Sequence, residues 1–207
     1  MELKEKLVSS FIAFENQISL DNTFVHDMRT EAIKRFELVG FPAKKDEAWK
    51  YTSLRKVLKE DFSVFAKTEF AVEYKDVQPY FIHDIDSYKI VFIDGKYASH
   101  LSETTHEGID ICLMSAALSK PKYQLVIENY FNKIAQKDSL TSLNTAFSNE
   151  GAYIHITKNK LVEKPIQIIH FSTGNEAALL LQPRNLIVVG ENAHVQIIER
   201  HQSLTDN

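Results

Sequence analysis

Apolar positions along the first forty residues predict two helices. Leu3, Leu7, Phe11 and Phe14 recur at steps of four, four and three, one face of a 3.6-residue period. Asp21, Asn22 and Thr23 offer N-cap oxygens for a second helix, on which Phe24, Met28, Ala32, Phe36 and Val39 share a face. Arg29, Glu31, Lys34, Arg35 and Glu37 fall mostly on its other faces. Gly40 suits the position just beyond the helix, and Pro42 prevents resumption. The two amphipathic segments are expected to pack as an antiparallel pair.

Residues 60–87 lack a clean period. Their aromatics (Phe62, Phe65, Phe70, Tyr74, Tyr80 and Phe81) are scattered, which predicts short irregular segments. "YKIVFIDGKYASHLS" then places Ile90, Val91, Phe92 and Ile93 before Asp94-Gly95, a hairpin signal near 89–101. Helical patterns are read at 111–119 and at 121–135, where Pro121 suits a first helical position. In the latter, Leu125, Ile127, Tyr130, Phe131 and Ile134 form a broad apolar face. A third pattern follows Asp138, with Leu140, Leu143, Ala146 and Phe147 on one face and Gly151 as its stop.

After Gly151 the period changes. "AYIHIT", "PIQIIHF", "AALLLQ", "NLIVV" and "HVQIIE" are five short strand-like runs separated by polar or glycine-bearing turns. The shift predicts a mainly helical domain over 1–150 and a β domain over 151–207. Strands at this spacing fit a sandwich, a barrel or a β-solenoid, and the irregular period does not choose among them. The last strand stands near the end of the sequence with an open edge. The expectation is that another chain covers that edge or that the natural chain continues past Asn207.

Composition narrows the function classes. The 207 residues carry a net charge of −4, which argues against a sequence-independent grip on nucleic acid or an anionic membrane. The N-terminus has no uninterrupted apolar h-region, and no run approaches a bilayer span of roughly 20 apolar residues. The single cysteine, Cys112, lies in an apolar helical pattern and forms no intramolecular disulfide, which suits a cytoplasmic protein. Desolvation there suppresses thiolate chemistry, so Cys112 is read as a small buried hydrophobe.

Candidate chemistry is sparse. There is no GxGxxG, no P-loop and no nucleophile elbow; "HLSETTHEG" lacks the glycines of one, and Asp84 and Asp86 read as a solvated loop face. The eight histidines are dispersed. His155, His170 and His194 lie in strand-like runs and would converge only on one face of a solenoid; single strand histidines are the favoured reading, and no metal site is assigned.

"GFPAKKDEAWKYTSL" (residues 40–54) stands apart, with nearly cancelling charges around the only tryptophan. Trp49 and Tyr51 are expected to anchor this turn against the helical pair while the charges face outward. The residues singled out, as packing or as a partner contact, are Gly40, Phe41, Pro42, Asp46, Glu47, Trp49, Lys50 and Tyr51.

The stretch resembles the N-terminal signature of the SufD family, components of the SUF iron–sulfur cluster assembly system. "VFIDGKY", "SLNTAFSNEGAYIHITKN", "EKPIQIIHFST" and "PRNLIVVGENAHVQIIE" agree with that family in the same order. The resemblance implies an α+β chain: a helical N-terminal domain followed by the first turns of a right-handed parallel β-helix, here truncated. It further implies a non-catalytic scaffold subunit that pairs with SufB-like proteins and binds the ATPase SufC. The SufC contact is expected mainly through a C-terminal region absent from this sequence. The family's complex handles Fe-S clusters and uses ATP through SufC; no cofactor is assigned to this fragment itself. Three alternatives stand beside it. A SufB-like paralogue is disfavoured by the single cysteine, a β-solenoid enzyme by the near absence of carboxylates on the strand runs, and a homodimer would pair open strand edges.

Overall fold

A computed structural model describes residues 2–18, 22–64, 71–103, 105–106, 108–134, 138–175 and 178–205. The cap oxygen expected from Asp21 and the aromatics Phe65 and Phe70 lie outside the described residues. The helices are α1 (Leu3–Ile18), α2 (Thr23–Val39), α3 (Tyr74–Val77), α4 (Met114–Ser119), α5 (Gln124–Tyr130) and α6 (Ser139–Phe147). The strands are β1 (Tyr88–Ile93), β2 (Lys96–Tyr97), β3 (Thr105–His106), β4 (Ile109–Leu113), β5 (Ala152–Ile156), β6 (Ile166–Ser172), β7 (Leu186–Val189) and β8 (Ile197–Ser203). Contacts divide the chain into two compact units. One holds residues 1–65, 118–149 and 177–182, the other 66–117, 150–176 and 183–207.

The first unit is helical. Leu7, Phe11 and Phe14 of α1 are buried with Ala32, Ile33 and Phe36 of α2 and Leu143, Ala146 and Phe147 of α6. Phe147 sits edge-on to Phe14, with ring centroids 5.1 Å apart. Asn22 caps α2 by accepting the Val25 N–H at 3.2 Å, and Asp138 caps α6 through the Leu140 and Thr141 N–H groups. The buried face of α2 is Val25, Arg29, Ala32, Ile33 and Phe36, whereas Val39 is 60% exposed. The expected face is therefore rotated, because a charged residue, Arg29, takes an inward position. Among the described residues of "AALLLQ" (178–182) there is no strand: Leu179 makes one isolated parallel bridge to Ser63.

In the second unit Asp94 and Gly95 both take positive φ, 46° and 79°, and close the β1–β2 hairpin as the sequence predicts. The helix expected over 111–119 is corrected: Ile111 and Cys112 belong to β4, which pairs antiparallel with β5, and only the segment from Met114 is helical. Tertiary pairing overrides a helical pattern that short.

The expected turns of a right-handed parallel β-helix are also overturned. The strands form two four-stranded sheets, ordered β2-β1-β6-β8 and β3-β4-β5-β7. Both are mixed: β1/β2, β3/β4 and β4/β5 are antiparallel, while β1/β6, β6/β8 and β5/β7 are parallel. β1 and β4, from before residue 150, pair directly with β6 and β5. β5 and β6 thus complete sheets begun earlier in the chain, β7 and β8 extend those same sheets in parallel, and no coil closes among the described residues. Ile90, Phe92, Ile154, Ile156, Ile166 and Ile168 fill one buried cluster of this unit, and Val77, Phe81, Val91, Ile169 and Phe171 belong to another. Burying each such side chain stabilises by about 1.5–3 kcal/mol.

Candidate functional site

The segment that follows α2 is built by its own backbone. Gly40 closes the helix at φ 72°, and its N–H donates to the Phe36 carbonyl at 2.7 Å. Phe41 turns back onto Phe36, ring edge to ring face, with centroids 5.0 Å apart. Asp46 ties the next turn: its Oδ2 accepts the Ala43 N–H at 2.7 Å, and its own N–H donates to the Ala43 carbonyl at 2.9 Å. Glu47–Trp49 is a single 3-10 turn, held by the Trp49 N–H on the Asp46 carbonyl at 2.8 Å. The Thr52 N–H then donates to the Trp49 carbonyl at 3.0 Å.

Side chains decorate this frame unequally. Phe41, Pro42 and Trp49 are half-buried, and Asp46, Glu47 and Lys50 are exposed. Lys50 pairs with Glu47 and lies 5.1 Å over the Tyr51 ring, yet Tyr51 itself is 91% exposed. Tyr51 therefore does not anchor the turn, contrary to the sequence expectation. Its ring and the mixed charges beside it form an outward surface. An open cleft of about 550 Å³ adjoins it, lined by Phe41, Pro42, Lys44, Thr52, Leu54 and Arg55.

The strand-borne histidines do not meet as a set. His155 is on β5 and His194 lies in the turn between β7 and β8, while His170 is on β6. β6–β8 pairing instead sets His170 opposite His201, and Glu199, two residues earlier on β8, shares their side of the sheet. His170 Nε2 is 3.3 Å from Glu199 Oε1, and His201 Nε2 is 3.6 Å from the same oxygen. The imidazoles, His170 foremost, hold the Glu199 carboxyl below its ordinary range. Glu199 and His201 went unnoticed in the sequence. The Glu-x-His spacing on one strand was their signal, but its partner depends on strand register, which no local pattern displays.

A family model described as the N-terminal region of SufBD proteins matches residues 1–168. The chain belongs to the SufBD family. This SufBD chain is 26% identical over 167 residues to an iron–sulfur cluster assembly SufBD family protein of Synechocystis sp., a match covering 80% of the chain and 36% of the relative. It is 24% identical over 170 residues to the iron–sulfur cluster assembly protein SufD of Escherichia coli, covering 81% and 37%. With SufD of Bacillus subtilis the identity is 33% over 81 residues, 38% of the chain and 18% of the relative. The chain spans a little over a third of the length of the first two relatives it matches. Among the described residues, no helix is long and apolar enough to cross a membrane.

Proposed function

We propose that this SufBD-family chain carries the N-terminal region of a non-catalytic scaffold subunit for iron–sulfur cluster assembly, working in the cytoplasm. It associates there with SufB-like and SufC-like proteins. The observation that carries the reading is the family match over residues 1–168, joined to relatives whose names state iron–sulfur cluster assembly. The signature segment supports a binding role: its backbone is self-braced, and Tyr51 with Lys50 and Glu47 is left facing outward. That surface is the proposed contact with a SufB-like or SufC-like partner.

Disrupting the gene tests this reading. The activity of a soluble iron–sulfur enzyme such as aconitase is expected to fall while the amount of its polypeptide is unchanged, and adding the gene back restores it. Full iron–sulfur enzyme activity in the disrupted strain contradicts the reading.

A further inference from the structure

We infer that His170, His201 and Glu199 form a binding site for one divalent transition-metal cation of the zinc or cobalt(II) kind. The strand ladder delivers the ligands. His170 and His201 are register partners on parallel strands, so their rings stand on one face of the sheet, 4.6 Å apart between centroids and 9° from parallel. Phe92, on the next strand and also in register, stacks behind His170 at 4.9 Å and fixes that ring. Period-two alternation puts Glu199 on the same face as His201.

The separations suit a small cation. Two donor atoms about 2.1 Å from one tetrahedral ion stand about 3.4 Å apart. The nitrogen-to-oxygen separations here are 3.3 Å and 3.6 Å, and all three candidate ligand atoms lie within 4.8 Å of one another. Binding requires the near-parallel rings to tilt until their Nε2 lone pairs converge. His201 can supply that movement, because its side chain is 63% exposed.

A second observation is independent of spacing. His170 is 7% exposed, and its Nε2 is buried without a hydrogen-bond partner. The Glu199 carboxylate oxygen stands 3.3 Å away as an ion-pair partner and makes no hydrogen bond to it. An orphaned imidazole nitrogen in a core is costly unless something meets it. A cation held jointly with Glu199 and His201 would do so.

The carboxylate is also oriented from outside the ligand set. Asn185 Nδ2 donates to Glu199 Oε1 at 2.8 Å, while Asn185 Oδ1 accepts the Ala152 N–H at 2.8 Å. A ligand carboxylate steered by an anchored amide is the outer-shell arrangement of metal sites. Two imidazoles and one carboxylate select zinc-like ions over magnesium or calcium, which take all-oxygen shells. Three protein ligands leave a fourth position for water or for a donor from another molecule.

Titrating the metal-free chain with cobalt(II), followed by visible absorption and displaced by zinc, tests the site. The expected result is one saturable equivalent whose spectrum shows low-coordinate cobalt with nitrogen and oxygen ligands. Glu199→Gln and His201→Ala, both at exposed positions that leave the fold intact by circular dichroism, should each weaken binding by about tenfold or more. His26→Ala, a histidine outside the ligand set, should leave it unchanged. Absence of saturable binding, or binding that survives Glu199→Gln and His201→Ala unaltered, overturns the inference.

Discussion

Arg29, in the middle of α2, donates from Nη2 to the backbone carbonyl of Ser148, the residue that ends α6. It also pairs through Nη1 with Glu15 of α1 at 3.2 Å, and its guanidinium carbon lies 5.5 Å from the centre of the Phe14 ring. One buried cation thus ties the three helices of the first unit. Burial lowers its pKa and the Glu15 charge opposes that shift, so the ion pair keeps the guanidinium charged inside. Arg29→Ala leaves Glu15 with His26 alone and takes the guanidinium donor from the Ser148 carbonyl. It is expected to cost about 3 kcal/mol, read as a lower urea midpoint. The double change Arg29→Met with Glu15→Gln should recover most of that loss, because it removes both charges and keeps the volume.

Glu150 makes stability depend on pH. Burial lifts its carboxyl from the ordinary 4.5 to about 7, against a hydrogen bond with Ser115 that pulls the other way. The folded chain therefore holds a proton that the unfolded chain has already released. Stability from this group is greatest below about pH 4.5, falls as pH rises toward about 7, and is level above that; the whole span is on the order of 3 kcal/mol at most. Glu150→Gln should flatten this decline and be more stable than the native chain at about pH 8. Denaturant titrations at several pH values decide it, and an unchanged slope contradicts the assignment.

Gly151 joins α6 to β5 at φ 145°, with its α-carbon against the Arg184 carbonyl. A Cβ there would stand 2.1 Å from that oxygen. Gly151→Ala must shift backbone and not merely a side chain, so a loss of about 4 kcal/mol or failure to fold is expected. Thermal unfolding of the variant measures it.

How far the sequence foretold this structure depends on where the information lies. α1 was legible because Leu7, Phe11 and Phe14 face a core at a helical period, and the β1–β2 hairpin was legible because Asp94-Gly95 dictates its own turn. The inward face of α2 was misjudged because Arg29 looks like a surface residue until Glu15, Phe14 and Ser148 are seen around it. Ile111 and Cys112 read as helix because only their pairing with Ile154 and Tyr153 makes them strand. The β-helix expectation failed for the same reason: which strands pair across the chain is set by distant residues. The signature residues were found by resemblance, whereas Glu199 and His201 came together only through the register of β8 on β6.

Tyr51 separates a packing role from a partner role. Because its ring is 91% exposed, Tyr51→Ala is expected to change folding stability by less than about 0.5 kcal/mol. Under the proposed partner contact, the same substitution lowers recovery of the associated proteins. A large drop in thermal stability would show that the ring packs in solution.

The most direct measurement is affinity purification of the protein, tagged at its own chromosomal locus, with its associated proteins identified and quantified. Recovery of a SufB-like and a SufC-like protein in amounts comparable to the tagged chain is the predicted result. Recovery of neither, with the tagged protein intact and folded, contradicts the scaffold account.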